Sequence, residues 1–188
     1  VSDPFTQIGI DIDGEAEKDL SGWAVSLSSD GSIVAISARY NDGNGTDSGH
    51  VRIYRNINNT WTQIGSDING EAANDQSGFS VSLSSDGSVV AIGAHYNDDN
   101  GNNSGHGRIY KNINNNWIQV GSDIDGEAAN DQSGNKVSLS SDGSVVAIGA
   151  DGNDGNGNES GHVRIFRNIN NTWTQIGSDI DGESAGDK

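Results

Sequence analysis

The chain has 188 residues, with 27 acidic against 10 basic side chains and a net charge of −17. That balance disfavours nucleic acid and anionic membrane surfaces, which are bound by clustered Lys and Arg. Cysteine is absent, so there is neither a disulfide framework nor thiol chemistry, and no run approaches the roughly 18 apolar residues of a membrane-spanning helix. Only 31% of residues are hydrophobic, a composition that leans towards disorder, but those residues recur at fixed phase.

Phe5, Trp61, Trp117 and Trp173 stand 56 residues apart, and the segments between them recur without insertion. A constant period of this length marks stacked copies of one supersecondary unit. Residues 1–20 read as the last strand and loop of a preceding repeat, with a strand expected over 5–12. Three whole units follow, over 21–76, 77–132 and 133–188. In the second unit, residues 79–84 (FSVSLS) alternate apolar and small polar side chains as a strand does. Asp86-Gly87 then predicts a tight hairpin turn. Residues 89–94 (VVAIGA) are apolar on both faces and form the expected central strand. After a loop of turn formers over 96–105, residues 108–113 (RIYKNI) give a third strand. Residues 117–124 (WIQVGSDI) give a half-polar fourth. Four antiparallel strands per unit, repeated, describe an all-β chain of β-propeller blades.

Residues 79–94 (FSVSLSSDGSVVAIGA) and then 105–110 (GHGRIY) resemble the FG-GAP repeat of integrin-α-like β-propellers, and the likeness extends over all three units. The resemblance implies an extracellular or cell-surface propeller, often with a calcium loop of Asp-x-Asp-x-Asp-Gly type between the first two strands. Here that place holds only Ser-Ser-Asp-Gly, too short to wrap a cation, and the proline that usually follows Gly-Ala is missing.

Propellers close with about four to eight blades, so three leave open faces and unpaired edges. The chain is therefore expected to be completed by copies of itself or by further repeats of the same chain. The association would run through blade edges and strand sharing, as a ring or a filament. Val1 in first place and an end on a repeat boundary fit a segment of something longer. At the position of Trp23 and Phe79 the third unit carries Asn135. A buried site would lose about 3–5 kcal/mol by that change, so a half-exposed position is expected.

Calcium is the cofactor the loops suggest, because carboxylates at alternate positions suit hard cations. The candidates are Asp11, Asp13 and Glu15; Asp67, Asn69 and Glu71; and Asp123, Asp125 and Glu127. The Gly- and Asn-rich stretches 41–47 and 151–158 are further candidates, although turns favour these residue types on their own account. His50, His106 and His162 recur in Ser-Gly-His. They read as hydrogen-bonded structural residues rather than as a zinc-binding ring about an axis. Trp61, Trp117 and Trp173 suit blade packing or stacking on sugars. Asn44, Asn58, Asn102, Asn158 and Asn170 are sequons, at a frequency this composition produces by chance. No nucleophile elbow, nucleotide loop or convergent acid pair is present, so no enzyme is expected. The reading is a non-catalytic extracellular repeat protein for adhesion or for a surface layer or filament. A multivalent glycan-binding lectin is the alternative.

Overall fold

A computed structural model describes residues 6–187. The first sheet holds β1 (Ser21–Leu27), β2 (Ile33–Ala38), β3 (His50–Ile57), β4 (Thr60–Gln63) and β5 (Ile68–Asn69). The second holds β6 (Ser80–Leu83), β7 (Val89–Ala94), β8 (His106–Ile113), β9 (Asn116–Gln119) and β10 (Ile124–Asp125). The third holds β11 (Lys136–Leu139), β12 (Val145–Ala150), β13 (His162–Ile169), β14 (Thr172–Gln175) and β15 (Ile180–Asp181). Every pairing between these strands is antiparallel, as in a propeller blade. The expected fourth strand is split in two. In the second sheet β9 pairs with the far half of β8, and β10 pairs with its first two residues.

The split has a local cause. Gly65 and Gly121, which follow β4 and β9, have φ of 76° and 75°, and a Cβ on either would run into the next repeat's tryptophan. The chain kinks there, and the indole of Trp117 donates to the Ile64 carbonyl at 2.8 Å, as Trp173 does to Val120 at 2.7 Å. The turn before each fourth strand is equally determined by sequence. Asn114 and Asn115 lie at φ of 53° and 63°, the left-handed pair that a two-residue hairpin needs and that Asn tolerates.

The apolar core lies between sheets. One cluster joins Ile33, Val51, Ile53 and Ile68 of the first sheet to Leu83, Val90 and Ile92 of the second. Another joins Val89, Ala91 and Ile109 of the second to Val146, Ile148 and Phe166 of the third. β7 supplies both clusters by alternation, so both its faces are covered. The serines of the VSLSS run bridge first strands: Ser26 Oγ accepts from the Leu83 amide and Ser82 Oγ from that of Leu139, each at 3.0 Å. The outer faces are bare. Leu27 is 59% exposed where Leu83 is 8%, and Ile180 is 58% exposed where Ile68 is 5%.

The strand expected over 5–12 is not formed in residues 6–12, and Phe5 lies outside the described residues. The segment instead lies on the first sheet where a preceding repeat's tail would lie, its Ile8 carbonyl accepting from the Trp61 indole at 2.9 Å. Without the third strand of its own blade it has no ladder to join. No helix among the described residues is long and apolar enough to cross a membrane.

Leu27 and Leu83 hold the same place in their repeats and differ in cover alone. Leu83→Ala should cost about 2–5 kcal/mol in urea unfolding and Leu27→Ala about 0.5 kcal/mol or less. Equal costs at the two positions would mean that the sheets do not share their cores.

Candidate functional site

Each repeat boundary carries one polar cluster of the same design. His50 opens β3, and Gly49 before it has φ of 76° and passes so close to Ser77 of the next repeat that a Cβ would not fit. Gly105 before His106 passes Ser133 in the same way, and His50 and His106 are almost without solvent contact. Arg52 follows two residues later on the same face of the strand. β5 pairs Asn69 with His50 and Ile68 with Val51, bringing Asp67 up from the same repeat. Glu15 arrives from the tail that precedes the repeat.

The two carboxylates converge on one ring nitrogen. His50 Nδ1 lies 3.7 Å from Glu15 Oε2 and 3.8 Å from Asp67 Oδ2. The other oxygen of each carboxylate is held elsewhere. Glu15 Oε1 faces Arg52 Nη1 at 3.4 Å, and Asp67 Oδ1 accepts from Gln63 at 2.6 Å. The second boundary repeats this with Glu71 at 3.8 Å and Asp123 at 3.9 Å from His106 Nδ1, and adds Asp99 at 4.0 Å. There Arg108 holds Glu71 at 3.2 Å and Gln119 holds Asp123. The third gathers Glu127 and Asp179 on His162 Nδ1 at 3.9 and 3.8 Å, with Arg164 and Gln175 as their holders. Within each cluster the potential ligand atoms lie within 4.8 Å of one another. These are groups that can hold a metal ion.

Burial determines the charge states. It pushes the His106 imidazole down to about 3, helped by the Arg108 guanidinium, so the ring is neutral. His50 is lowered for the same first reason, against the pull of Asp67. Glu71 is raised, by burial first and by Asp123 and Asp99, with Arg108 opposing.

The loop triplets expected as single calcium sites are divided by the fold. Asp67 joins the first cluster and Glu71 the second; Asp123 joins the second and Glu127 the third. Glu15 is in the first cluster, while Asp11 is held by Gln7 at 2.8 Å and has no histidine beside it among the described residues. The middle member of each triplet offers its backbone. Asp13, Asn69 and Asp125 carbonyls accept from Arg52, Arg108 and Arg164 at 2.9, 2.8 and 2.6 Å. The histidines, expected as hydrogen-bonded structural residues, instead leave Nδ1 of His50 and His106 without a hydrogen-bond partner. The three arginines, Asp99 and Asp179 were not among the candidates read from the sequence. The recurring His-x-Arg two residues apart was the available signal.

The remaining candidates have other duties. Asn41 donates to Asp19 at 2.8 Å and Asn97 to Asp75 at 3.3 Å, tying the long loops to the preceding repeat's tail. In the Ser-Ser-Asp-Gly turn, Asp30 Oδ1 accepts from Ser28 Oγ, Ser32 N and Ser32 Oγ at 2.8–2.9 Å, which closes the place of the family's calcium loop. The indoles of Trp61, Trp117 and Trp173 are all engaged across boundaries. Among the sequons, Asn44 donates to the Gly70 and Glu71 carbonyls at 2.9 and 3.0 Å, whereas Asn58, Asn102, Asn158 and Asn170 are exposed.

Against this geometry the sequence profile of the FG-GAP repeat matches residues 10–54 and 69–110. Those two stretches are FG-GAP repeats. Comparison with curated protein sequences gives no match. The fold is similar to that of a Bacteroides uniformis protein provisionally described as a 6-phosphogluconolactonase, with a TM-score of 0.56 and 14% identity. It is also similar to the hydrazine synthase of Kuenenia stuttgartiensis, with a TM-score of 0.51 and 14% identity. The two likenesses cover 88% and 94% of this chain and 42% of each of those proteins, and at such identity they concern the fold alone.

The three repeats differ most sharply where the first and second strands meet at one end. Arg39 lies 3.6 Å over the Trp23 ring in the first repeat. Phe79 stacks on His95, with centroids 3.7 Å apart, in the second. In the third, the half-buried Asn135 donates to Asp151 at 3.1 Å, which explains how an aromatic position tolerates asparagine. Burial, then Arg39 and Lys136, lowers His95 to about 4. A depressed histidine contributes stability that is full above its unfolded value of about 6.5 and is lost as pH falls towards 4. NMR titration should place the His95 midpoint near 4, and a midpoint near 6.5 would contradict the burial that sets it.

Proposed function

We propose that this FG-GAP chain is a non-catalytic extracellular repeat protein, serving adhesion or a structural assembly, in which each bare sheet face is covered by another repeat of the same kind. One observation carries the reading: the same residues are buried between repeats and bare at both ends. Val25 and Leu27 stand exposed on the first sheet, while their counterparts Val81 and Leu83 pack against the core shared with it. On the third sheet Val163 is 36% exposed, where Val51 is fully covered, and Ile165 is partly open where Ile109 is closed. The two bare faces are the two halves of the interface already present twice within the chain. Burying such apolar surface is favourable at about 25 cal/mol per Å².

The absence of convergent chemistry supports a structural role. The polar clusters recur one per boundary, with the same groups each time, whereas catalysis needs different groups at one point. The glycan-binding alternative draws no support from the tryptophans, whose indole donors are committed between repeats.

In repeat arrays, stability is close to a sum of repeat and nearest-neighbour terms. Fusing a further copy of residues 133–188 after Lys188 should therefore raise the melting temperature, and Leu27→Asp with Ile180→Asp should abolish any concentration-dependent self-association in light scattering. A fused copy that melts independently, leaving the original transition unmoved, would refute the reading.

A further inference from the structure

We propose that each boundary cluster of histidine and carboxylates is a binding site for a divalent transition-metal ion of the zinc class, which links one repeat to the next. The sites are His50 with Glu15 and Asp67, His106 with Glu71, Asp123 and Asp99, and His162 with Glu127 and Asp179.

An acidic cluster alone would not carry this. The additional observation is the buried imidazole. His106 is fully buried and His50 nearly so, and Nδ1 of both has no hydrogen-bond partner among the described residues while facing the carboxylates. Leaving such an atom unmatched costs free energy, so a native structure places it there for a reason. A hydrogen bond to carboxylate does not account for it, since separations of 3.7 to 4.0 Å exceed hydrogen-bond range.

The carboxylates are arranged as ligands. In every cluster one oxygen of the glutamate and one of its principal aspartate partner (Asp67, Asp123 or Asp179) are held by Arg and Gln, and the other oxygens point to the ring nitrogen. Such outer contacts orient metal ligands and are as much part of a site as the ligands themselves. Tetrahedral zinc with bonds of about 2.0–2.2 Å spaces its ligands about 3.3–3.6 Å apart, so the nitrogen-to-carboxylate separations of 3.7–4.0 Å need to close by only a few tenths of an ångström. Calcium takes 6–8 oxygens, whereas these clusters offer three or four ligands, one a nitrogen. At the second boundary three carboxylates gather on the His106 ring and, among the described residues, the Arg108 guanidinium pairs with Glu71 alone, an excess of negative charge that a dication neutralises.

Each ion would join Glu of one repeat's tail to His and Asp of the next. Zinc chloride titrated into the intact chain should give three bound ions by dialysis and metal analysis. Dissociation constants should be on the order of 1 µM or below, with calcium at least about 100-fold weaker. His106→Phe and Glu71→Ala should each lower the count to two; Glu71 is exposed enough that its loss leaves the fold intact, which circular dichroism verifies. No zinc bound, zinc bound no more tightly than calcium, or a count unchanged in folded Glu71→Ala would overturn the proposal.

Discussion

The interface between successive sheets is the constraint on which this structure depends. No single sheet encloses a core; the fully covered Ile53, Val90, Ile92 and Ile109 reach that state only because a neighbour lies against them. Small sheets of four or five short strands cannot remove enough apolar surface from water alone. Every other feature serves that contact: serines bridging first strands, indoles reaching back to the previous fourth strand, and glycines where chains pass closely. The polar clusters sit at the same boundaries because tail and blade meet there.

Much of this was legible in sequence because the repeat lets one unit report on the next. The alternation in FSVSLS, the doubly apolar VVAIGA and the run RIYKNI place β6, β7 and β8 to within about two residues. The broken fourth strand was not legible. Its kink at Gly121 is imposed by Trp173, which stands 52 residues further on, and no local pattern contains that contact. The same is true of the strand expected over 5–12, which needs a neighbour that residues 6–12 lack.

The candidate site was half legible for a related reason. Alternating carboxylates in DIDGEA drew attention to the right residues, but local spacing assigned all three to one cation. The fold instead sends Asp123 back to its own repeat's histidine and Glu127 forward to the next. His106 read as ordinary because its sequence neighbours are ordinary. What makes it unusual, a buried nitrogen facing carboxylates from two repeats, exists only after packing.

The direction of the tail contacts gives the array a polarity. Residues 6–20 serve the repeat ahead of them: Ile8 reaches Trp61, Asp13 reaches Arg52 and Asp19 reaches Asn41. The cooperative module is therefore out of phase with the sequence period, since it borrows its outer layer from upstream. Among the described residues no repeat lies against the last tail, and its Ile176 and Ile180 are bare. Each boundary is thus seated by the segment upstream of it, much as each tooth of a zip is held by the one before.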